Sequence, residues 1–218
     1  MNISKNILLI ANGKFPKSEL IDSVSSENCS VVCCDGAAKK ACDHNIEPDI
    51  IIGDMDSISP ELHSKFSDKV IQIDEQSSSD LSKALDWLNQ NDVESVSVIG
   101  ADGLRDDHAI GNILLLLENK YKYKIKMITE FGIFDLITTT SNSEESFSFE
   151  SFRGQAISIF CLDRKVKLNS QGLRYPLVDF TFSKLYEASL NISDGNSFSI
   201  AGSKEDINIL VYRANEEA

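Results

Sequence analysis

Two aspartates, Asp54 and Asp56, bracket Met55 in the stretch IIGDMDS, directly after a run of branched apolar residues. Taken alone, such a pair is turn chemistry. Three further polar clusters share its placement, each following a strand-like run and preceding a helix-like one: Asp35 with Gly36, EQSSSD ending at Asp80, and GLRDDH from Gly103 to His108. Each has a plain structural reading. Ser59 before Pro60 suits a helix start, Ser77 and Asp80 match the S-x-x-D capping box, Asp106 or Asp107 can cap the next helix, and His108 falls in a first helical turn. A cap, however, needs one short polar side chain, whereas several strand ends here carry carboxylates and one also carries Arg105. Hard oxygen ligands from separate segments suit Mg²⁺, and an arginine fork suits phosphate. If the chain stays extended through Met55, Asp54 and Asp56 face the same ion. The combination points to phosphoryl or nucleotidyl transfer.

The elements that must position these residues follow from periodicity. ILLIA (7–11), VVCCD (31–35), DIIIGD (49–54), VIQID (70–74), SVSVIG (95–100) and IKMITE (125–130) read as buried parallel strands. Between them, Leu81, Ala84, Leu85 and Leu88, and again Ile110, Ile113, Leu114 and Leu117, repeat with helical spacing. Strand and helix in alternation predict an α/β sheet with right-handed crossovers, in which ligands bind beyond the carboxyl ends of the strands. Beyond about residue 135 only short strand-like runs occur: SFSFES (146–151), QAISIFCL (155–162), YPLVDFTF (175–182), SFSIAG (197–202) and INILVYR (207–213). They predict a small antiparallel sandwich or barrel. The expected fold is thus an N-terminal parallel-sheet α/β domain, residues 1–138, followed by a small all-β sandwich domain, residues 139–218. SNSEE (141–145) is the candidate linker, and FDLITTT before it fits either side.

Composition narrows the function. At 218 residues and 42% apolar content the chain can bury a sizeable core. Its formal charge of -13 argues against nucleic acid and anionic membrane as partners, since both repel such a surface. The five cysteines show no metal-ligand spacing, and there is no signal peptide and no apolar stretch near ~18 residues, so a reducing cytoplasm is expected. No P-loop, no G-x-G-x-x-G after the first strand and no G-x-S-x-G elbow occurs, which removes the positive case for a Walker-type NTPase, a dinucleotide-binding dehydrogenase or a serine hydrolase.

In order along the chain, DGAAKKACDHNIEPDIIIGDMDS, EQSSSDLSKAL, GADGLRDDH, GLRY and SLN resemble the motifs of the thiamine pyrophosphokinase family. The resemblance implies an α/β catalytic domain that binds nucleotide and metal, a β-sandwich domain that binds thiamine and dimerises, and a homodimer whose active site is completed by the partner subunit. It implies transfer of pyrophosphate from ATP to the hydroxyl of thiamine, with Mg²⁺ as cofactor, giving thiamine diphosphate and AMP. By position, Asp54, Asp56, Asp80 and Asp107 match the family's acidic set, with Asp54, Asp56 and Asp80 as metal ligands. Gln76 and Arg105 match its phosphate-side groups, and Asp35 and Gly36 its nucleotide-side loop, with His108 beside them. Tyr175, Ser189 and Asn191 match the thiamine end, Tyr175 being suited to stack on a cationic heterocycle. Glu75, Ser77, Ser79, Asp106 and Leu190 depart from the family pattern. The expected step is in-line attack of the alcohol on the β-phosphorus, with Asp80 or Asp107 as proton acceptor and His108 a further candidate. Rival readings are transfer to another heterocyclic alcohol, a binding module without turnover, and a metal-dependent phosphohydrolase.

Overall fold

Runs of branched apolar residues become strands because a sheet covered on both faces has no place for polar side chains along them. In the computed structural model, which describes residues 3–17, 21, 28–140, 145–202 and 206–217, the chain divides into two compact units. The first comprises residues 1–115 and 121–130, the second residues 116–120 and 131–218.

The first unit is built on six parallel strands: β1 (Asn6–Ile10), β2 (Cys29–Cys34), β3 (Ile50–Gly53), β4 (Val70–Gln72), β5 (Ser95–Ile99) and β6 (Lys124–Ile128). Their spatial order is β6-β5-β1-β2-β3-β4, every neighbouring pair parallel. The chain moves outward from β1 to β4, then returns to β5 on the other flank of β1. Helices α1 (Ala38–Asp43), α2 (Pro60–Lys65), α3 (Asp80–Asn89) and α4 (Asp106–Glu118) provide the crossovers. The expected α3 face is buried at Leu81, Ala84, Leu85 and Leu88. On α4 the outcome is mixed: Leu117 is buried, but Ile110 and Leu114 are 59% and 38% exposed among the described residues.

Cap positions separate the structural readings. Ser59 does cap α2, accepting from Leu62 N, with Pro60 in the first turn. For α3 the cap is Ser79, accepting from Ser82 N at 3.2 Å, not Ser77. Asp106 and Asp107 do not precede α4 as caps but lie in its first turn, where the helix dipole favours carboxylates.

The second unit is a sandwich of two antiparallel sheets. Strands β7 (Gly132–Thr138), β9 (Gln155–Phe160), β11 (Asn191–Ile192) and β13 (Asn208–Glu217) pair in the order β11-β9-β13-β7. Strands β8 (Ser146–Glu150), β10 (Leu168–Gln171) and β12 (Ser197–Gly202) pair as β10-β12-β8. Ile157, Ile159, Ile209 and Val211 of one sheet and Phe149, Leu168, Phe198 and Ile200 of the other share one core. FDLITTT, open to either side by sequence, supplies β7 of this unit, while 141–144 of the candidate linker lie outside the described residues. YPLVDFTF is not a strand. Pro176 has no N–H to give to a ladder and Asp179 takes φ 45°, so the segment only flanks β10 through Leu168–Phe180 and Ser170–Leu177 backbone bonds.

All five cysteines are free thiols. Burial pushes the Cys33 and Cys34 thiols well above the ordinary range, and Cys161 up to about 11.

Candidate active site

The return of the chain from β4 to β5 places a topological switch point between β1 and β5, and a cleft of about 470 Å³ opens over the adjacent strand ends. Its floor extends the β1–β5 pairing into loops: Ala11 N donates to Ile99 O at 2.9 Å, Gly13 N to Gly100 O at 2.6 Å and Lys14 N to Asp102 O at 2.7 Å. Gly13 cannot be larger, since a Cβ there would lie 2.3 Å from Gly100 O and 2.4 Å from Asp102 O. Two helices pin these loops. Lys40 of α1 donates to the carbonyls of Asn12 and Gly13, both at 2.8 Å, and Asn112 of α4 to Ala101 O at 2.7 Å.

At the end of β2, Asp35 is only 2% exposed. Its carboxylate accepts from the backbone N–H groups of Gly36 and Ser57. Burial, then the nearby Asp80 charge, raises its pKa to about 6 despite those donors. The β3 end corrects one expectation. The strand stops at Gly53, and Met55 takes the left-handed φ of 67°. Asp54 and Asp56 therefore meet through a tight turn, not across a pleat, with Asp56 N donating to Asp54 Oδ1 at 3.3 Å. That backbone donor, then Gln76 Nε2 at 3.0 Å and Lys83, hold the Asp54 carboxyl below its usual range against some desolvation. Ser57 Oγ donates to Asp56 at 2.9 Å. Carboxylate oxygens of Asp35, Asp54 and Asp56 all lie within 4.8 Å of one another. The set offers only hard carboxylate oxygens, the donor chemistry that suits Mg²⁺.

Asp80 opens α3 and stands beside Lys83 one turn on. Lys83 Nζ lies 3.1 Å from Asp80 Oδ1 and 3.5 Å from Asp54 Oδ2, with its side chain 3% exposed. Arg105 is clamped by Asp107 through two parallel bonds, Nε to Oδ1 at 3.0 Å and a terminal nitrogen to Oδ2 at 2.6 Å. The pair is well exposed, and the arginine holds the Asp107 carboxyl below its usual range. Arg105 and His108 line the cleft with Asp54, Asp56, Gln76 and Asp80. Glu75, expected as a departure, orders its own loop by accepting from Ser77 N and Ser78 Oγ, which lowers its pKa to about 2.

Tyr175, Ser189 and Asn191 all belong to the second unit. The buried Asn191 side chain donates to Tyr175 O at 2.7 Å and accepts from Tyr175 N at 3.1 Å and Ile192 N at 2.8 Å. It therefore fixes the backbone from which the exposed Tyr175 ring projects. Ser189 Oγ donates to Tyr186 O at 2.7 Å. Sequence reasoning missed Lys83, Asn12, Asp102 and Asn112, which all line the cleft of the first unit. For Lys83 a signal existed: it follows Asp80 by three residues amid the apolar positions of α3.

Comparison with known proteins bears on the family and the fold. The family model "Thiamin pyrophosphokinase, catalytic domain" matches residues 21–129, and "Thiamin pyrophosphokinase, substrate-binding domain" matches residues 137–212. Thiamine pyrophosphokinase 1 of Oryza sativa subsp. japonica is 34% identical over 110 residues, 39% of this chain and 42% of that protein. Thiamin pyrophosphokinase 1 of Caenorhabditis elegans is 24% identical over 159 residues, 69% of this chain and 65% of that protein. The matched segments thus span less than two thirds of these relatives. The crystal structure of thiamine pyrophosphokinase from Bacillus subtilis superposes with a TM-score of 0.77 at 20% identity, covering 97% of this chain and 99% of that one, a likeness of fold. With both of its domains matched in order, the chain belongs to the thiamin pyrophosphokinase family.

Proposed function

We propose that the protein is a thiamine diphosphokinase, which moves the β,γ-pyrophosphoryl group of ATP onto the hydroxyl of thiamine, giving thiamine diphosphate and AMP. The observation that carries this reading is the convergence of Asp35, Asp54 and Asp56 at neighbouring strand ends, within a cleft also lined by Arg105. Mg²⁺ held by these carboxylates would neutralise phosphate charge. The chain's own residues do the rest. Gln76 and the Asp56 N–H orient Asp54, and Arg105 exchanges its Asp107 partner for phosphate oxygens. The thiamine oxygen forms its bond to the β-phosphorus as the bond to the AMP oxygen breaks, and a carboxylate, Asp80 or Asp107, takes the alcohol proton.

In this reading the first compact unit, which ends at residue 130, is the nucleotide- and metal-binding domain, and the second unit, whose strands begin with β7, binds thiamine and dimerises. The second role is supported by the exposed Tyr175, Val178, Tyr186 and Leu190, an apolar group that suits a partner surface and a flat cation. A homodimer with its active site completed by the partner, in a reducing cytoplasm, is consistent with the exposed Ile110 and Leu114 of α4 and five free thiols. Among the described residues no helix is long and apolar enough to cross a membrane.

Product analysis with ATP, Mg²⁺ and thiamine tests the proposal. AMP and thiamine diphosphate are expected in equal amounts, and only with thiamine present. Release of phosphate without an acceptor, or AMP only with a different alcohol, sinks it. Asp54→Asn and Asp56→Asn are each expected to lower turnover by at least ~100-fold at ordinary Mg²⁺; near-normal rates in both would remove the metal assignment.

A further inference from the structure

Lys83 is 4% exposed, and a lysine is almost never buried to that degree unless its charge is met. Here two carboxylates meet it, Asp80 at 3.1 Å and Asp54 at 3.5 Å. A lysine that merely tied α3 to the sheet would need one acidic partner. This one reaches into the cleft lining, and it shares Asp54 with the Asp35–Asp54–Asp56 cluster. Asp54 is thus placed between two positions for positive charge, as a bridging carboxylate is in a two-metal phosphoryl-transfer site, where the ions stand about 3.5–4 Å apart. One of those positions is filled by the chain itself.

We propose that Lys83 is a positioning residue that acts as a built-in counter-ion: its ammonium takes the place of a second divalent cation, presets Asp54 and Asp80, and leaves one ion to the Asp35–Asp54–Asp56 oxygens. The stem of Lys83 is buried where α3 packs over β2 and β3, so the ammonium reaches the strand ends with its aliphatic part out of water. An ammonium has three donors and no acceptor, so it orders carboxylates without competing for phosphate-side cations. Without it, four carboxylates, Asp35, Asp54, Asp56 and Asp80, would face one another with no fixed positive charge between Asp54 and Asp80.

The inference rests on the pyrophosphokinase reading only for its effect on turnover, and its main test needs no substrate. Mn²⁺ alone is titrated into wild-type chain and Lys83→Met, with bound ion read by electron paramagnetic resonance and stability by thermal unfolding. Wild type is expected to take up about one ion per chain and Lys83→Met about two, since the emptied position is now flanked by two carboxylates. The variant should melt lower than wild type without metal and recover most of the difference at saturating Mn²⁺. A variant that binds the same number of ions as wild type, or stays unfolded at saturating Mn²⁺, overturns the proposal, because Lys83 would then act through packing alone. Lys83→Arg, which keeps the charge, should keep the single ion; two ions there would equally overturn it. With ATP and thiamine, Lys83→Met should lose roughly tenfold or more of kcat at low Mg²⁺ and regain it steeply as Mg²⁺ rises. If wild type gives no thiamine-dependent AMP, the functional reading fails while the ion count still decides the role of Lys83.

Discussion

A buried carboxylate surrounded by others is a liability until a cation arrives, and Asp35 shows the sign of that effect. Its folded pKa, about 6, stands above the ordinary 3.8, so its contribution favours the fold fully below pH 3.8 and is lost as pH rises through 6. Asp35→Asn should therefore raise the melting temperature of metal-free protein at pH 7–8, by on the order of 2 kcal/mol in stability, with the gain vanishing below about pH 4. Thermal unfolding in chelator across pH checks this; a gain equal at pH 4 and pH 8 contradicts it. The same variant should respond less to Mg²⁺ than wild type. Met55 carries a different strain. Its φ of 67° costs a side chain about 1 kcal/mol, so Met55→Gly should be neutral to slightly stabilising while Met55→Val destabilises, both read by chemical denaturation. The acids themselves were legible in the sequence, being polar residues at the mouths of apolar runs. Which of them converge was not, because that depends on β2 and β3 being neighbours and on α3 lying over them.

At the scale of elements, the parallel strands announced themselves because burial on both faces demands unbroken apolar runs, as in Leu8, Leu9 and Ile10 or Ile50, Ile51 and Ile52. The second unit was harder to read. β10 is LNSQ, three of its four residues polar and half of them exposed, and β11 is two residues long, so neither has a hydrophobic signature. YPLVDFTF has that signature but spends it on a loop that closes the core with Leu177 and Phe182. The turn through Met55 was also invisible, since nothing in DMD specifies a left-handed residue that is neither Gly nor Asn. The cleft floor gives a sharp expectation at this scale. Gly13→Ala drives a methyl into two carbonyl oxygens, and Gly100→Ala places one 2.6 Å from Ala11 O at a φ of 66°. Each should cost more than about 2 kcal/mol and lower nucleotide affinity together with stability, unlike Asp54→Asn, which should spare the fold. Denaturation midpoints and nucleotide titration on the same samples distinguish the two patterns.

For the whole molecule, Ile110 and Leu114 of α4 are exposed apolar surface that a partner subunit would cover. Ile110→Glu should turn a dimer into a monomer in sedimentation velocity at micromolar protein while leaving the strands intact by circular dichroism. A wild type that sediments as a monomer under those conditions ends the homodimer reading. The charge of -13 adds a second dependence: raising salt should stabilise the metal-free chain by screening its self-repulsion, and less so once Mg²⁺ is bound.

The arrangement of thiols also makes the folded protein a ready optical probe of its own cleft. Cys33, Cys34 and Cys161 are sealed in the interior, whereas Cys29 and Cys42 retain partial access. A maleimide dye should therefore modify only those two in the native state, and a Cys29→Ser background would confine it to Cys42. That position lies on α1, two residues past the lysine that grips the Asn12 and Gly13 carbonyls, so under the proposed function emission there would report nucleotide entry without a label on the substrate.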